Sequence, residues 1–429
     1  MELIVNPVKK LSGEISVPGD KSVSHRAVML GALARGTTEV ENFLMGEDCL
    51  ATVKCFGALG VQIKGPDKGR LTIQGVGLEG LKEPADVLDA GNSGTTTRLL
   101  LGILAGQPFC SILTGDGSLR NRPMARVTKP LSDMGASFLG RQENRFLPLA
   151  VRGGTLKPIA FQSPVASAQI KSAVLLAGLF AEGETTVTEP APSRDHTERM
   201  LESFGVQLLR TGNTVTLQGR PQLRGNKVRV PGDISSAAFP LVAAAILPGS
   251  DITVTGVGIN PTRDGLLEVL RKMGANLELL NIRMQSGEPV ADIRVRGTGL
   301  KGTEISGELI PRLIDEIPVL AVAAAYAEGT TVIKDAAELK VKESNRIATV
   351  AEELKKFGAD IEELPDGLIV QGGKPLQGTV AQSYGDHRIA MAMAVAGLGA
   401  SRPTTIEGAH CVDVSFPGFA HALKFLAVE

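Results

Sequence analysis

Several cations of this chain stand where a helix resists them. Lys21, His25 and Arg26 cluster at the start of one apolar segment, and His387 and Arg388 at the start of another. Gly91-Asn92-Ser93-Gly94-Thr95 opens a third, with Arg98 one turn in. A helix N-terminus already carries positive dipole charge, so cations there call for an anion between them, where backbone N–H groups are already aimed. A solvated charged face would explain any one group; the recurrence points to bound anions.

An internal comparison sharpens this. Aligning Pro18-Gly19-Asp20 with Pro231-Gly232-Asp233 sets Ile234 opposite Lys21, Ala238 opposite His25 and Phe239 opposite Arg26, so the scaffold does not need cations there. Ser167-Ala168-Gln169 precedes the apolar run Ile170 to Phe180 and offers hydroxyl, amide and backbone donors. Lys340 to Arg346 reads as one helical face carrying Lys342 and Arg346 with Glu343 beside them, either a surface ion-pair ladder or a reactive cluster. Asp315 interrupts an apolar segment, and is either a helix cap or an acid/base group. Many anion-binding donors, two candidate carboxylates and no obvious nucleophile suit proton transfer on two polyanionic small molecules.

The elements that position these residues follow a repeat. Each Pro-Gly-Asp start opens an apolar helix, then a strand (Thr37 to Val40, Asp251 to Val254), then a second helix stopped by a Gly (Gly60, Gly274) before another strand. The same grammar runs from Glu184 to Gly205 and from Gly329 to Gly358, with looser copies near Gly91 and Gly385. Six α/β units of roughly 70 residues, longer than ordinary solenoid repeats, suggest two domains of three units each. The natural break lies near Gly232, and short hinges rather than a long linker join the halves.

Bulk properties remove other classes. Forty-five Lys and Arg balance 46 Asp and Glu in 429 residues, so no global field recruits nucleic acid or an anionic membrane. Aromatics are 3%, without Trp, which weakens base-stacking models. The longest apolar runs are too short to span a bilayer, and no export signal is visible at Met1 to Lys10. The four cysteines, Cys49, Cys55, Cys110 and Cys411, are scattered without metal-ligand spacing, so a reducing cytoplasm is expected, and with no HExxH, EF-hand loop or CxxC no built-in metal is. Gly75-Val76-Gly77-Leu78-Glu79-Gly80 matches a dinucleotide fingerprint in letters, but Pro84 follows too soon for the required helix; a repeat turn is the better account.

Taken in order, Pro18-Gly19-Asp20-Lys21-Ser22 with His25-Arg26, Gly91 to Thr95, Asn121-Arg122-Pro123-Met124, Ser167-Ala168-Gln169, Lys342 to Arg346 and Asp386-His387-Arg388 resemble the EPSP synthase family of enolpyruvyl transferases. The resemblance spans essentially the whole chain. It implies an α/β fold of two domains, each of three βαβαββ units with pseudo-threefold symmetry, an inside-out α/β barrel. The domains would be 21–232 and 1–20 with 233–429, closing on the active site in the cleft between them. The implied reaction moves the enolpyruvyl group of phosphoenolpyruvate to shikimate 3-phosphate, in a cytoplasmic monomer without cofactor, metal, nucleic-acid or membrane partner.

By the same resemblance, Lys21, Ser22, Arg26, Ser167, Ala168, Gln169, Ser193, Asp315 and Lys342 should hold shikimate 3-phosphate. Lys21, Gly94, Arg122 and Gln169 should surround phosphoenolpyruvate, with Arg346 and Arg388 on its carboxylate, where a guanidinium fork fits better than an ammonium. Asn92, Thr95 and His387 are further candidates. Asp315, Glu343, Lys342 and Lys21 are the expected catalytic groups, with Asp315 as base and Glu343 as proton donor to the methylene carbon. Ala168 stands where many relatives have Ser, Glu338 where some have Asn, and Val414 where some have Lys, departures that resemble the second bacterial class of the family. Two rivals remain: the sister enzyme acting on UDP-N-acetylglucosamine, which usually carries a reactive Cys in a Gly-rich loop, and a silent binding protein, which should lack Lys21, Asp315 or Glu343.

Overall fold

Six helices have almost no polar face, and a helix apolar all round belongs inside a protein. They are α1 (Lys21–Leu33), α2 (Gly94–Ala105), α3 (Ala168–Gly178), α4 (Ile234–Ile246), α5 (Ile317–Tyr326) and α6 (His387–Leu398). In the computed structural model, which describes residues 1–428, all of α4 and every residue of α1 from Val23 onward is buried. Four begin on a side-chain cap: the oxygens of Asp20, Ser93, Asp233 and Asp386 accept from the backbone of Val23, Thr96, Ser235 and Arg388 at 2.8, 3.1, 2.8 and 3.0 Å.

The chain divides into two compact units. One is Gly19–Val230 with Gln285–Glu288; the other is Met1–Pro18, Pro231–Met284 and the chain from Pro289 onward. Each has three small sheets, four of the six built on one four-stranded pattern. In the first unit Arg35–Glu41 pairs parallel with Lys227–Arg229 and antiparallel with Arg70–Val76, which pairs antiparallel with Gln62–Asp67. Cys110–Thr114 and Glu184–Thr188 repeat this with their own neighbours. Because Lys227–Arg229 comes from the end of the unit yet joins its first sheet, the three repeats close on themselves.

The second unit repeats the pattern around Thr330–Ile333, with a fifth strand in the sheet around Asp251–Gly258 and only three strands in the sheet around Thr404–Glu407. Its first and third sheets borrow Lys10–Ser16 and Glu2–Val5 from the start of the chain. The architecture is therefore α/β, three sheet-and-helix repeats in each of two units, as the sequence predicts. Gly60, Gly205, Gly274 and Gly358 end their helices at φ of 88, 90, 86 and 85°, the left-handed stop that a side chain would strain. Within the first unit α2 crosses α3 so closely that a Cβ on Gly102 would lie 2.3 Å from the Ala173 carbonyl oxygen.

Candidate active site

In the first unit the expected residues gather at the N-terminal ends of α1, α2 and α3. Lys21 opens α1 and its ammonium pairs with Asp48. Arg26, one turn on, is 4% exposed, and Glu198 and Asp20 act on its charge without bonding it. Its Nε donates to Thr197 Oγ1 at 2.6 Å, Nη2 to Ser172 Oγ at 2.8 Å and Nη1 to the Ser22 carbonyl at 3.0 Å. Burial pulls Arg26 down to about 10, still cationic at neutral pH.

A second group surrounds the start of α2. Arg122 donates from Nη2 to Asn92 Oδ1 at 2.6 Å and from Nη1 to the Asn92 carbonyl at 3.3 Å; its remaining partner is the Ser118 hydroxyl, again neutral. Arg98 donates to Gln169 Oε1 at 2.7 Å, and Gln169 Nε2 donates to Thr95 Oγ1 at 3.3 Å. A Cβ on Gly94 would lie 3.1 Å from Arg98 Nη1 and 3.6 Å from Arg122 Nη1, so the missing side chain leaves space between two guanidinium groups. Backbone N–H groups of a helix start and two cations converging on one gap suit a phosphate.

The third group lies at the start of α3. Ser167 is its N-cap residue, and Ala168 its first turn, yet the Ser167 hydroxyl makes no capping bond. Glu189 instead accepts the Ser167 backbone N–H at 2.9 Å and the Ser193 hydroxyl at 2.8 Å. The hydroxyls of Ser22 and Ser167 remain available for an incoming ligand.

In the second unit the expected residues gather around one buried guanidinium. Arg346, 1% exposed, bonds Asp386 Oδ2 from Nε at 2.8 Å, Glu343 Oε2 from Nη2 at 2.7 Å and Asp315 Oδ1 from Nη1 at 3.3 Å. Burial opposes its charge, but Glu343, Asp386 and Asp315 together raise Arg346 above the ordinary arginine range. Despite burial, the same contact holds Asp386 below the usual carboxylate range. Lys342 Nζ lies 3.9 Å from both Asp315 and Glu338. Arg388 donates to the Asp315 carbonyl at 3.1 Å, and His387 is buried at the start of α6.

Four sequence expectations need correction. His25 is not a cation: it is fully buried with Nδ1 2.7 Å from Thr52 Oγ1, and burial drives it down to about 3. The anions beside Lys21 and Arg346 are the chain's own: Asp48 faces Lys21, and Asp315, Glu343 and Asp386 face Arg346. Lys342 and Arg346 do not share a helical face. A 3₁₀ turn, Ala337–Val341, ends at Lys342, and Asn345 caps a new helix, Arg346–Lys356, so Glu343 and Ser344 lie in the connection. Asp315 is not a cap either; Glu316 holds that position and the Asp315 carboxylate turns to Arg346.

Two buried groups lie outside the sequence expectations. Asp386 stands there only as part of a motif, although it anchors Arg346. Lys171, Glu189 and Glu198 form a cluster whose only signal in the sequence is a lysine inside the apolar run after Gln169.

The EPSP synthase (3-phosphoshikimate 1-carboxyvinyltransferase) family model matches residues 5–423. The chain belongs to the EPSP synthase family. It is therefore a transferase. It is 72% identical to the 3-phosphoshikimate 1-carboxyvinyltransferase of Desulforamulus reducens over 429 residues, covering 100% of both chains. Against that of Pelotomaculum thermopropionicum the identity is 64% over 430 residues, with 100% of each covered. An EPSP synthase structure from Acinetobacter baumannii superposes with a TM-score of 0.91 at 50% identity, covering 99% of this chain and 98% of that one. The enolpyruvyl transferase NikO of Streptomyces tendae, at 18% identity and a TM-score of 0.80, shares the fold. Among the described residues no three His, Cys, Asp or Glu side chains group as a metal site, and no helix is long and apolar enough to cross a membrane.

Proposed function

We propose that this member of the EPSP synthase family transfers the enolpyruvyl group of phosphoenolpyruvate to the 5-hydroxyl of shikimate 3-phosphate, releasing phosphate. The observation that carries the reading is the pair Arg26 and Arg122, guanidinium groups hydrogen-bonded to neutral oxygens beside helix starts. A bound anion gives each a charge-assisted bond that those oxygens do not supply.

Arg26 and Ser22 hold shikimate 3-phosphate, with Ser167, Ala168, Gln169 and Ser193 on its phosphate side. Lys21, Gly94 and Arg122 surround the phosphate of phosphoenolpyruvate, with Asn92 and Thr95 fixing Arg122 and Gln169. Arg388 takes the carboxylate, joined by Arg346 once its share of Glu343 or Asp315 is released; His387 supports the same end. Both sets of groups act on one bound pair of substrates, and the two units act as two domains closing on it.

Asp315 takes the proton of the 5-hydroxyl as its oxygen attacks C2 of phosphoenolpyruvate. Glu343 gives a proton to C3, forming a tetrahedral ketal phosphate. Elimination moves a proton from the C3 methyl to Glu343 as the C2–O bond to phosphate breaks and the departing phosphate takes the proton held by Asp315, with Lys342 and Lys21 stabilising charge on the reacting oxygens. The chain works as a monomer, in a reducing cytoplasm where its four cysteines, three of them buried, stay as thiols.

The test is phosphate release from phosphoenolpyruvate with shikimate 3-phosphate or UDP-N-acetylglucosamine as acceptor and no added metal. Release with shikimate 3-phosphate alone is expected. Release with the nucleotide sugar alone, or with neither from folded protein, refutes the assignment.

A further inference from the structure

Lys171 sits in the second position of an apolar stretch of α3 and is 4% exposed. Its ammonium lies 2.8 Å from Glu189 and 2.8 Å from Glu198, and donates to the Ser193 carbonyl at 3.3 Å. Burial opposes the charge, yet the two carboxylates raise Lys171 above the ordinary lysine range. Glu189 and Glu198 are themselves 4% and 1% exposed. None of the three has been given a part in the reaction.

Their placement is not incidental to the expected phosphate side. One oxygen of Glu189 accepts the Ser167 N–H and the other accepts the Ser193 hydroxyl. Glu198 follows Thr197, which holds Arg26. A single buried network therefore reaches Ser167, Ser193 and Arg26. A bare carboxylate bonded to a phosphate-binding serine would repel a dianion. Lys171, bonded to both Glu189 and Glu198, offsets one of these two negative charges, and Glu198 also acts on Arg26.

We propose that Lys171 and Glu189 are positioning residues for the phosphate of the acceptor: Glu189 sets Ser167 and Ser193, and Lys171 cancels the charge that Glu189 would otherwise present to the ligand. Neither touches the substrate. When phosphate arrives, the Ser193 hydroxyl rotates its donor from Glu189 to a phosphate oxygen, and Glu189 keeps Lys171. The inference rests on the proposed function and names what tunes that site's acceptor affinity.

The test compares wild type, Lys171→Met and the double variant Lys171→Met/Glu189→Gln in steady state, with shikimate 3-phosphate and with unphosphorylated shikimate as acceptors. In Lys171→Met the cluster gains one negative charge; in the double variant it returns to its wild-type charge while the introduced amide oxygen still accepts the Ser167 N–H. Lys171→Met should raise KM for shikimate 3-phosphate by at least roughly tenfold, with KM for phosphoenolpyruvate within about threefold. The double variant should recover at least about fivefold of that loss, and shikimate, lacking phosphate, should show a far smaller effect.

Equal losses for both acceptors, or a double variant no better than the single, would overturn charge compensation. Should Lys171→Met fail to fold, the double variant decides alone: a KM for shikimate 3-phosphate within about tenfold of wild type supports the proposal, and a larger loss overturns it. Wild type silent with shikimate 3-phosphate refutes the functional reading first, and the positioning role falls with it.

Discussion

Replacing Arg26 with Lys keeps the charge and removes the fork. The guanidinium reaches three oxygens in three directions: Thr197 Oγ1 at 2.6 Å, Ser172 Oγ at 2.8 Å and the Ser22 carbonyl at 3.0 Å. An ammonium on an unbranched stem satisfies one of them and still faces a ligand, so two charge-assisted bonds are lost in a site that is 4% exposed. Thr197 and Ser172 already lie 2.6 Å apart and can bond each other, which limits the cost of leaving them. What weakens the hold on an anion is the loss of the two N–H donors that these bonds leave for a bidentate grip, about 2 to 3 kcal/mol or roughly 50-fold. Titration calorimetry of shikimate 3-phosphate into enzyme at neutral pH reads this directly, with KM for phosphoenolpyruvate changed less than about threefold because Arg122 and Arg388 are untouched. A Kd within about threefold of wild type, or equal losses for both substrates, would refute the assignment of Arg26 to the acceptor.

Three further outcomes are expected. Glu343→Gln keeps the bond to Arg346 but cannot transfer a proton, so kcat falls at least about 100-fold while both substrates bind within about fivefold of wild type; unchanged turnover by phosphate release would sink the role. Gly94→Ala puts a methyl 3.1 Å from Arg98 Nη1, which weakens phosphoenolpyruvate by roughly tenfold without lowering the melting temperature; an unaltered KM would show that the gap is not its site. His25→Gln removes a histidine that burial keeps neutral to about pH 3, whereas the unfolded chain takes up its proton near 6.5. As pH falls through that window stability is lost by up to about 1.4 kcal/mol per unit, so the variant's urea midpoints should drop less steeply in acid, and parallel curves would contradict the burial argument.

The sequence alone determined the repeat, the family and the helix starts, because each is written in local chemistry. Pro-Gly-Asp and Asn-Ser-Gly starts carry their own caps, and the stop glycines at 60, 205, 274 and 358 answer to backbone sterics within one turn. Six motifs in order needed no coordinates. The state of each charge was a tertiary decision. Asp48 neutralises Lys21 from another helix, and Thr197, 171 residues from Arg26, leaves that cation with a neutral partner. Whether Arg346 was a solvated ladder rung or a buried hub depended on Asp386, 40 residues on. Lys171 became visible as a neutralising group only when folding brought Glu189 and Glu198 to it. Spacing along a chain specifies a helix end; the dielectric and the partner around a charge come from everything packed against it.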